Sequence, residues 1–357
     1  MLRPPSVHLV LGLGLLALAA CGESDSPTQP ATESAPVTPP LAALTSNTWT
    51  LRAPYPEAAG FGMDIAAGVV NNSAGQPIVY TFGGADEEDC CAIPIARYNV
   101  ATNTWSVPSR EPAVFEFRTN GVGQIGGKLY FSGGYDKSGS EVSITPGTWA
   151  YDPVSNALTR KADMPKATAN GISAVIDGKL FVLSGTCSIE FIGGVFCDSP
   201  FYRRVLRYNP AADHWVSKRL APHFHRSGAG GAIGGKFYVA GGIDTLGAPV
   251  TALDVYDPLT DTWKTLAPLP IGGKNHGAVI QGKLFVIIST FTNEQVTNQA
   301  YVYDPTTNRW NPKAAPKLNH DAVVLVRLDD KPYLLAVGGA HVSGGNNVPN
   351  DSELYTP

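Results

Sequence analysis

The run KFYVAGG at 236–242, followed by Tyr256-Asp257-Pro258 and then by Trp263, decides how this chain folds. Lys236 to Ala240 reads as a buried strand of aromatic and β-branched residues, and the glycine pair that ends it permits positive φ and close backbone approach. Asp257-Pro258 sets a turn between two further strands, and the aromatics on either side fill the wedge between sheets. A single unit of this kind cannot bury both faces of its own sheet, so it needs neighbours built alike.

Those neighbours are present. PIVYTFGG at 77–84, KLYFSGG at 128–134, KLFVLSG at 179–185, KLFVIIS at 283–289 and KPYLLAVGG at 331–339 repeat the run. The six copies end 50, 51, 57, 47 and 50 residues apart, a mean of 51. After them come Tyr98-Asn99, Tyr151-Asp152-Pro153, Tyr208-Asn209-Pro210, Tyr256-Asp257-Pro258, Tyr303-Asp304-Pro305 and Tyr355-Thr356-Pro357. Seven residues beyond five of these tyrosines stand Trp105, Leu158, Trp215, Trp263 and Trp310. The glycine pair weakens to Ser184-Gly185 and Ile288-Ser289, and Leu158 stands where tryptophan is expected, so those copies should be the least regular.

The pattern resembles the kelch repeat, whose units are four-stranded blades of a β-propeller. The resemblance spans residues 47–357 and implies an all-β, six-bladed propeller. The sixth copy stops at Pro357 before its tryptophan, while Asn47-Thr48-Trp49 has no strand run ahead of it. Trp49 is therefore expected on the outer strand of the last blade, where it closes the ring and leaves no open sheet edge.

Composition agrees. Gly 38 and Pro 29 in 357 residues argue against a helical bundle, and charged residues are only 16% against an average of about a quarter. Lys+Arg 26 against Asp+Glu 30 gives a net charge of −4 without long runs of one sign, so nucleic acid is not an expected partner.

Residues 1–20 carry Arg3, an apolar stretch from Val7 to Leu18 and the small pair Ala19-Ala20, the layout of an export signal. Leu18-Ala19-Ala20-Cys21 resembles the bacterial lipoprotein box, which implies lipidation of Cys21, a membrane tether through it, and, with Gly22 next, sorting to the outer membrane. Residues 21–46 then form the lipidated cysteine and a linker rich in Ser, Thr, Pro and Ala, expected to be disordered. Its 25 residues from 22 to 46 would reach roughly 28 Å.

By the same kelch resemblance, the connections before each innermost strand and after each glycine pair open on one face around the central channel. His223, His225, His276, His320 and His341 fall in such connections, and His214 lies in a turn on the opposite face. Arg118, Asn170, His225, Arg226, His276, His320 and His341 are the candidate ligand-binding residues, the two arginines as grips for a carboxylate or other anion. Asp86, Asp136 and Asp244 share a position after their glycine runs, where Asp commonly accepts turn N–H groups. No catalytic residue, metal ligand or cofactor is assigned: the histidines come from different repeats without a short spacing such as HxxxH, no glycine-rich phosphate loop precedes a helix, and nothing provides the setting of a nucleophilic serine.

Export makes cysteine pairing the expectation for Cys187 with Cys197, ten residues apart in one connection, while the adjacent Cys90 and Cys91 leave their pairing open. The functional expectation is a membrane-anchored binding module for a glycan or a protein. The alternative is a carbohydrate-acting enzyme similar to the sialic-acid mutarotases, with Glu116 or His276 as acid or base beside Arg118 and Arg226.

Overall fold

The computed structural model describes residues 45–357 except 57–58, 60–63, 85–92, 109–112, 115, 137–142, 187–199, 293–294, 344–345 and 350. Six four-stranded antiparallel sheets follow one another. The innermost strands are Ala66–Asn71, Val122–Ile125, Ile172–Ile176, Ala229–Ile233, Asn275–Ile280 and Ala322–Leu328, one for each of blades 1 to 6. Each pairs with the strand that carries the repeated apolar run, which pairs with the strand bearing the repeat tyrosine.

Blade 6 takes its outer strand from the other end of the chain. Thr48–Pro54 pairs with Asp351–Thr356 in antiparallel register, Trp49 opposite Tyr355, as the sequence predicts. The ring is closed by hydrogen bonds between the two ends of the domain.

What fastens each blade to the one before it is a clamp built from the turn after the tyrosine. The six tyrosines are at most 1% exposed, and their hydroxyls donate to Asn103, Asn156, Asp213, Asp261, Asn308 and, across the seam, Asn47. All six acceptors sit at φ between +45° and +56°, a left-handed turn that Asn and Asp tolerate better than other side chains. Burial pushes the Tyr355 hydroxyl up to about 12, so it remains a donor.

The same acceptor oxygens reach the preceding blade. Ala162, Arg219, Ala267 and Ala314 donate backbone N–H to Asp213, Asp261, Asn308 and Asn47. The carbonyls of those four residues accept from the indole N–H of Trp215, Trp263, Trp310 and Trp49. Tyrosine, Asn or Asp five residues on, and Trp seven residues on thus form one device, repeated around the ring. Leu158 removes the indole donor from the clamp of blade 2.

The glycine pairs do what the sequence requires of them. At Gly133 φ is +64°, and an added Cβ would lie 2.1 Å from the Thr168 carbonyl oxygen, so only glycine lets the next blade approach.

Candidate functional site: the channel mouth

The inner strands of all six blades surround a cavity of about 450 Å³ on the propeller axis, within the usual range for small-ligand sites. Its mouth is held by a backbone hoop. Arg118 N–H donates to the Asp64 carbonyl, Asn170 to Arg118, Ser227 to Asn170 and Asn275 to Ser227, at 2.9–3.0 Å. Asp64, Arg118, Asn170 and Ser227 all have φ between +50° and +61°, which turns each chain sharply into its inner strand.

Every blade contributes a polar residue to the cavity: Asp64, Arg118, Asn170, Ser227, His276 and Asp321. Arg118 Nε meets Asp64 Oδ1 at 2.7 Å, and the Asp64 N–H donates to Asp321 Oδ2 at 2.7 Å, which ties blades 6, 1 and 2 together at the seam. The Arg118 guanidinium lies 5.9 Å from the Tyr135 ring centroid, and the Asn170 amide donates to the Tyr135 hydroxyl at 3.5 Å. Asn275, 1% exposed, also lines the cavity, and neither its amide nitrogen nor its oxygen has a hydrogen-bond partner among the described residues.

Proton affinities at the mouth are displaced in useful directions. Burial, then the Asp64 carboxylate, pushes the Asp321 carboxyl up to about 7. Burial, with help from His320 and Lys274 and against Asp64, holds the His276 imidazole down at about 4. Near neutral pH the cavity therefore presents a carboxyl able to donate a proton and an imidazole able to accept one.

The Kelch motif family matches residues 226–270, the fourth repeat. The chain is a kelch-repeat propeller. Among curated relatives it is 28% identical over 258 residues to Kelch-like protein 15 of Danio rerio, covering 66% of this chain and 40% of that protein. It is 27% identical over 306 residues to Beta-scruin of Limulus polyphemus, covering 78% of this chain and 31% of that protein. The kelch region thus spans well under half the length of these relatives. The solved structure of YjhT superimposes with a TM-score of 0.64 at 16% identity, covering 84% of this chain and 95% of that one, a likeness of fold.

Within this kelch propeller, three of the residues expected at the mouth line the cavity: Arg118, Asn170 and His276. Two others do not. The His225 ring is fully buried inside blade 4, its Nδ1 donating to the Gly241 carbonyl at 2.9 Å and its Nε2 3.1 Å from Asp254. His320 is placed alike in blade 6, between the Gly338 carbonyl at 3.1 Å and Glu353 at 2.9 Å. Both carboxylates precede their blade tyrosine by two residues on the third strand, so these imidazoles fasten the entry loop to its own blade instead of facing a ligand.

Arg226 does not line the cavity; its backbone bridges to Ile243, and the mouth position of blade 4 belongs to the next residue, Ser227. His341 and Glu116 are placed by backbone alone, opposite Val348 and Asp136. Asp244 accepts the N–H groups of Leu246 and Ala248, both at 2.8 Å, as a turn residue would. Cys21, Cys90, Cys91, Cys187, Cys197 and Asp86 lie outside the described residues. The sequence reading overlooked Asp64 and Asp321, although Asp321 directly follows Asn319-His320.

Proposed function

We propose that this protein is an exported, membrane-anchored binding module that uses the channel mouth to hold a polar ligand, a glycan or a polar segment of a protein partner. The observation that carries this is the convergence of one polar side chain from each of six blades on a single cavity of about 450 Å³. The Arg118–Asp64 pair helps to hold the seam, but it also sets a guanidinium on the same cavity as a neutral imidazole and a proton-rich carboxyl, a combination suited to a polar ligand. Arg118 supplies charge-assisted donors, and Asn170 and His276 read hydroxyl or amide groups. The membrane-anchored part of this reading rests on the lipidation expected at Cys21 and on the Ser-, Thr-, Pro- and Ala-rich linker sequence that follows it.

A glycan-array screen of the mature protein, followed by titration calorimetry on the hits, tests the reading. Arg118→Ala and His276→Ala should each weaken binding at least tenfold, about 1.4 kcal/mol, with His214→Ala on the opposite face unchanged. Equal small effects from all three would remove the mouth from consideration.

Asp321 and His276 favour a second reading, a carbohydrate-acting enzyme of the mutarotase or epimerase type, since one can donate and the other accept a proton on the same cavity. Exchange between anomers of reducing sugars, followed by NMR, separates the two: acceleration lost in Asp321→Asn supports the enzyme, and unaltered exchange supports binding alone.

A further inference from the structure

Outside the channel, blade 4 gathers His223, His225 and Asp254 so that one ligand atom of each lies within 4.8 Å of the others. Asp254 Oδ2 is 2.9 Å from His223 Nδ1 and 3.1 Å from His225 Nε2. Four-coordinate zinc at about 2.0–2.1 Å from its ligands needs them roughly 3.3 Å apart, a few tenths of an ångström beyond the two carboxylate–imidazole distances. Asp254 and His225 side chains are fully buried, while that of His223 is 46% exposed, so the cluster has one open wall through which an ion and a fourth, water ligand can enter.

The outer contacts are those a metal site requires. A carbonyl can only accept, so the contact with Gly241 assigns the proton of His225 to Nδ1 and turns the Nε2 lone pair toward Asp254. Two electron-rich atoms facing each other at 3.1 Å call for a cation between them, a proton or a metal ion. Thr265 Oγ1 donates to the other Asp254 oxygen at 2.6 Å, orienting the carboxylate as hydrogen bonds orient metal ligands generally. The loop bearing His223 is pinned by Arg203, whose guanidinium donates to the Ala221 and Pro222 carbonyls.

Blade 6 provides an internal comparison. There the same loop-to-strand pair exists as His320 and Glu353, and the place of His223 is taken by Leu318: each donates its backbone N–H to the buried carboxylate, two residues ahead of the buried histidine. A His–carboxylate pair fastens the entry loop without any second imidazole. The second imidazole in blade 4 is thus unneeded for folding, yet it is aimed at the shared carboxylate oxygen. We propose that His223, His225 and Asp254 form a binding site for one divalent transition-metal ion, with zinc as the fitting probe. The sequence alone assigned no metal because the carboxylate lies 29 and 31 residues from the two histidines and no short motif announces it.

The test is zinc titration of the chelator-treated full chain against His223→Leu, which installs the side chain blade 6 already tolerates. Cysteines and the remaining histidines are common to both proteins, so the difference isolates this cluster. The wild type should bind one zinc ion more per chain than the variant, should gain thermal stability with added zinc that the variant does not, and with cobalt should show visible absorption of a low-symmetry four-coordinate site. Identical zinc stoichiometry and affinity in the two proteins, with unchanged circular dichroism, would overturn the proposal.

Discussion

Replacing Trp49 by alanine attacks the one seam that the chain's connectivity does not close. The indole donates to the Ala314 carbonyl at 2.8 Å, packs on Tyr355 with ring centroids 5.2 Å apart, and meets Phe285 edge-on at 6.2 Å. Truncation of a buried Trp costs about 3–5 kcal/mol, and half-burial puts this site at the lower end. The Ala314 carbonyl left without its donor adds about 1 kcal/mol, for a total near ~4 kcal/mol. A domain of roughly 310 residues unfolds with an entropy of about 0.65 kcal/mol/K, so the melting temperature should fall by about 6 °C. Differential scanning calorimetry reads this directly. Trp263→Ala is the control within the ring: its indole N–H···O contact is longer, 3.4 Å to Arg219, and no chain end depends on it, so a smaller drop is expected. A Trp49→Ala protein that melts within 1 °C of wild type would refute the closure argument.

Asn308→Ala should cost about 2–3 kcal/mol, because it removes the acceptor of both Tyr303 and Ala267 and forces alanine to φ +53°, while Asn308→Gly recovers about 1 kcal/mol of the backbone part; equal urea midpoints for the two variants would contradict this. The raised Asp321 affinity means that the folded state holds more protons than the unfolded one between pH 3.8 and about 7, so this group lowers stability as pH rises through that window and adds nothing more above it. Asp321→Asn should accordingly gain on wild type when urea unfolding is repeated at pH 5 and pH 8, and a difference that does not move with pH would count against a proton-rich Asp321.

Much of this architecture was legible because its determinants are local and repeated. Tyr98 to Tyr355 and the tryptophans seven residues on recur in fixed register, and the orphan Trp49 marks the seam. The Asn and Asp residues that complete the clamp escaped notice, since polar residues in turns have an ordinary explanation and their bonds reach a blade about 50 residues away. The mouth was legible only to within a residue or two, and in strands that error decides the face. It exchanged Ser227 for Arg226 and Asp321 for His320, turning two histidines that grip the interior into supposed ligand contacts. Asp254 and Glu353, the partners that draw them inward, belong to third strands 29 and 33 residues downstream and carry no signal that a linear reading would connect with them.

Because Thr48 lies directly opposite Thr356, the two ends of the folded domain are neighbours in one sheet. The order in which the blades are encoded is then a matter of where the ring was cut. A few residues joining the ends would make the domain cyclic, and the turns bearing Val154 and Leu259, 95% and 90% exposed, offer places to open it elsewhere. Circular permutation would carry the two chain ends to a different blade while leaving the main-chain bonds around the mouth uncut, so where the domain begins and ends can be redesigned separately from what its cavity contains.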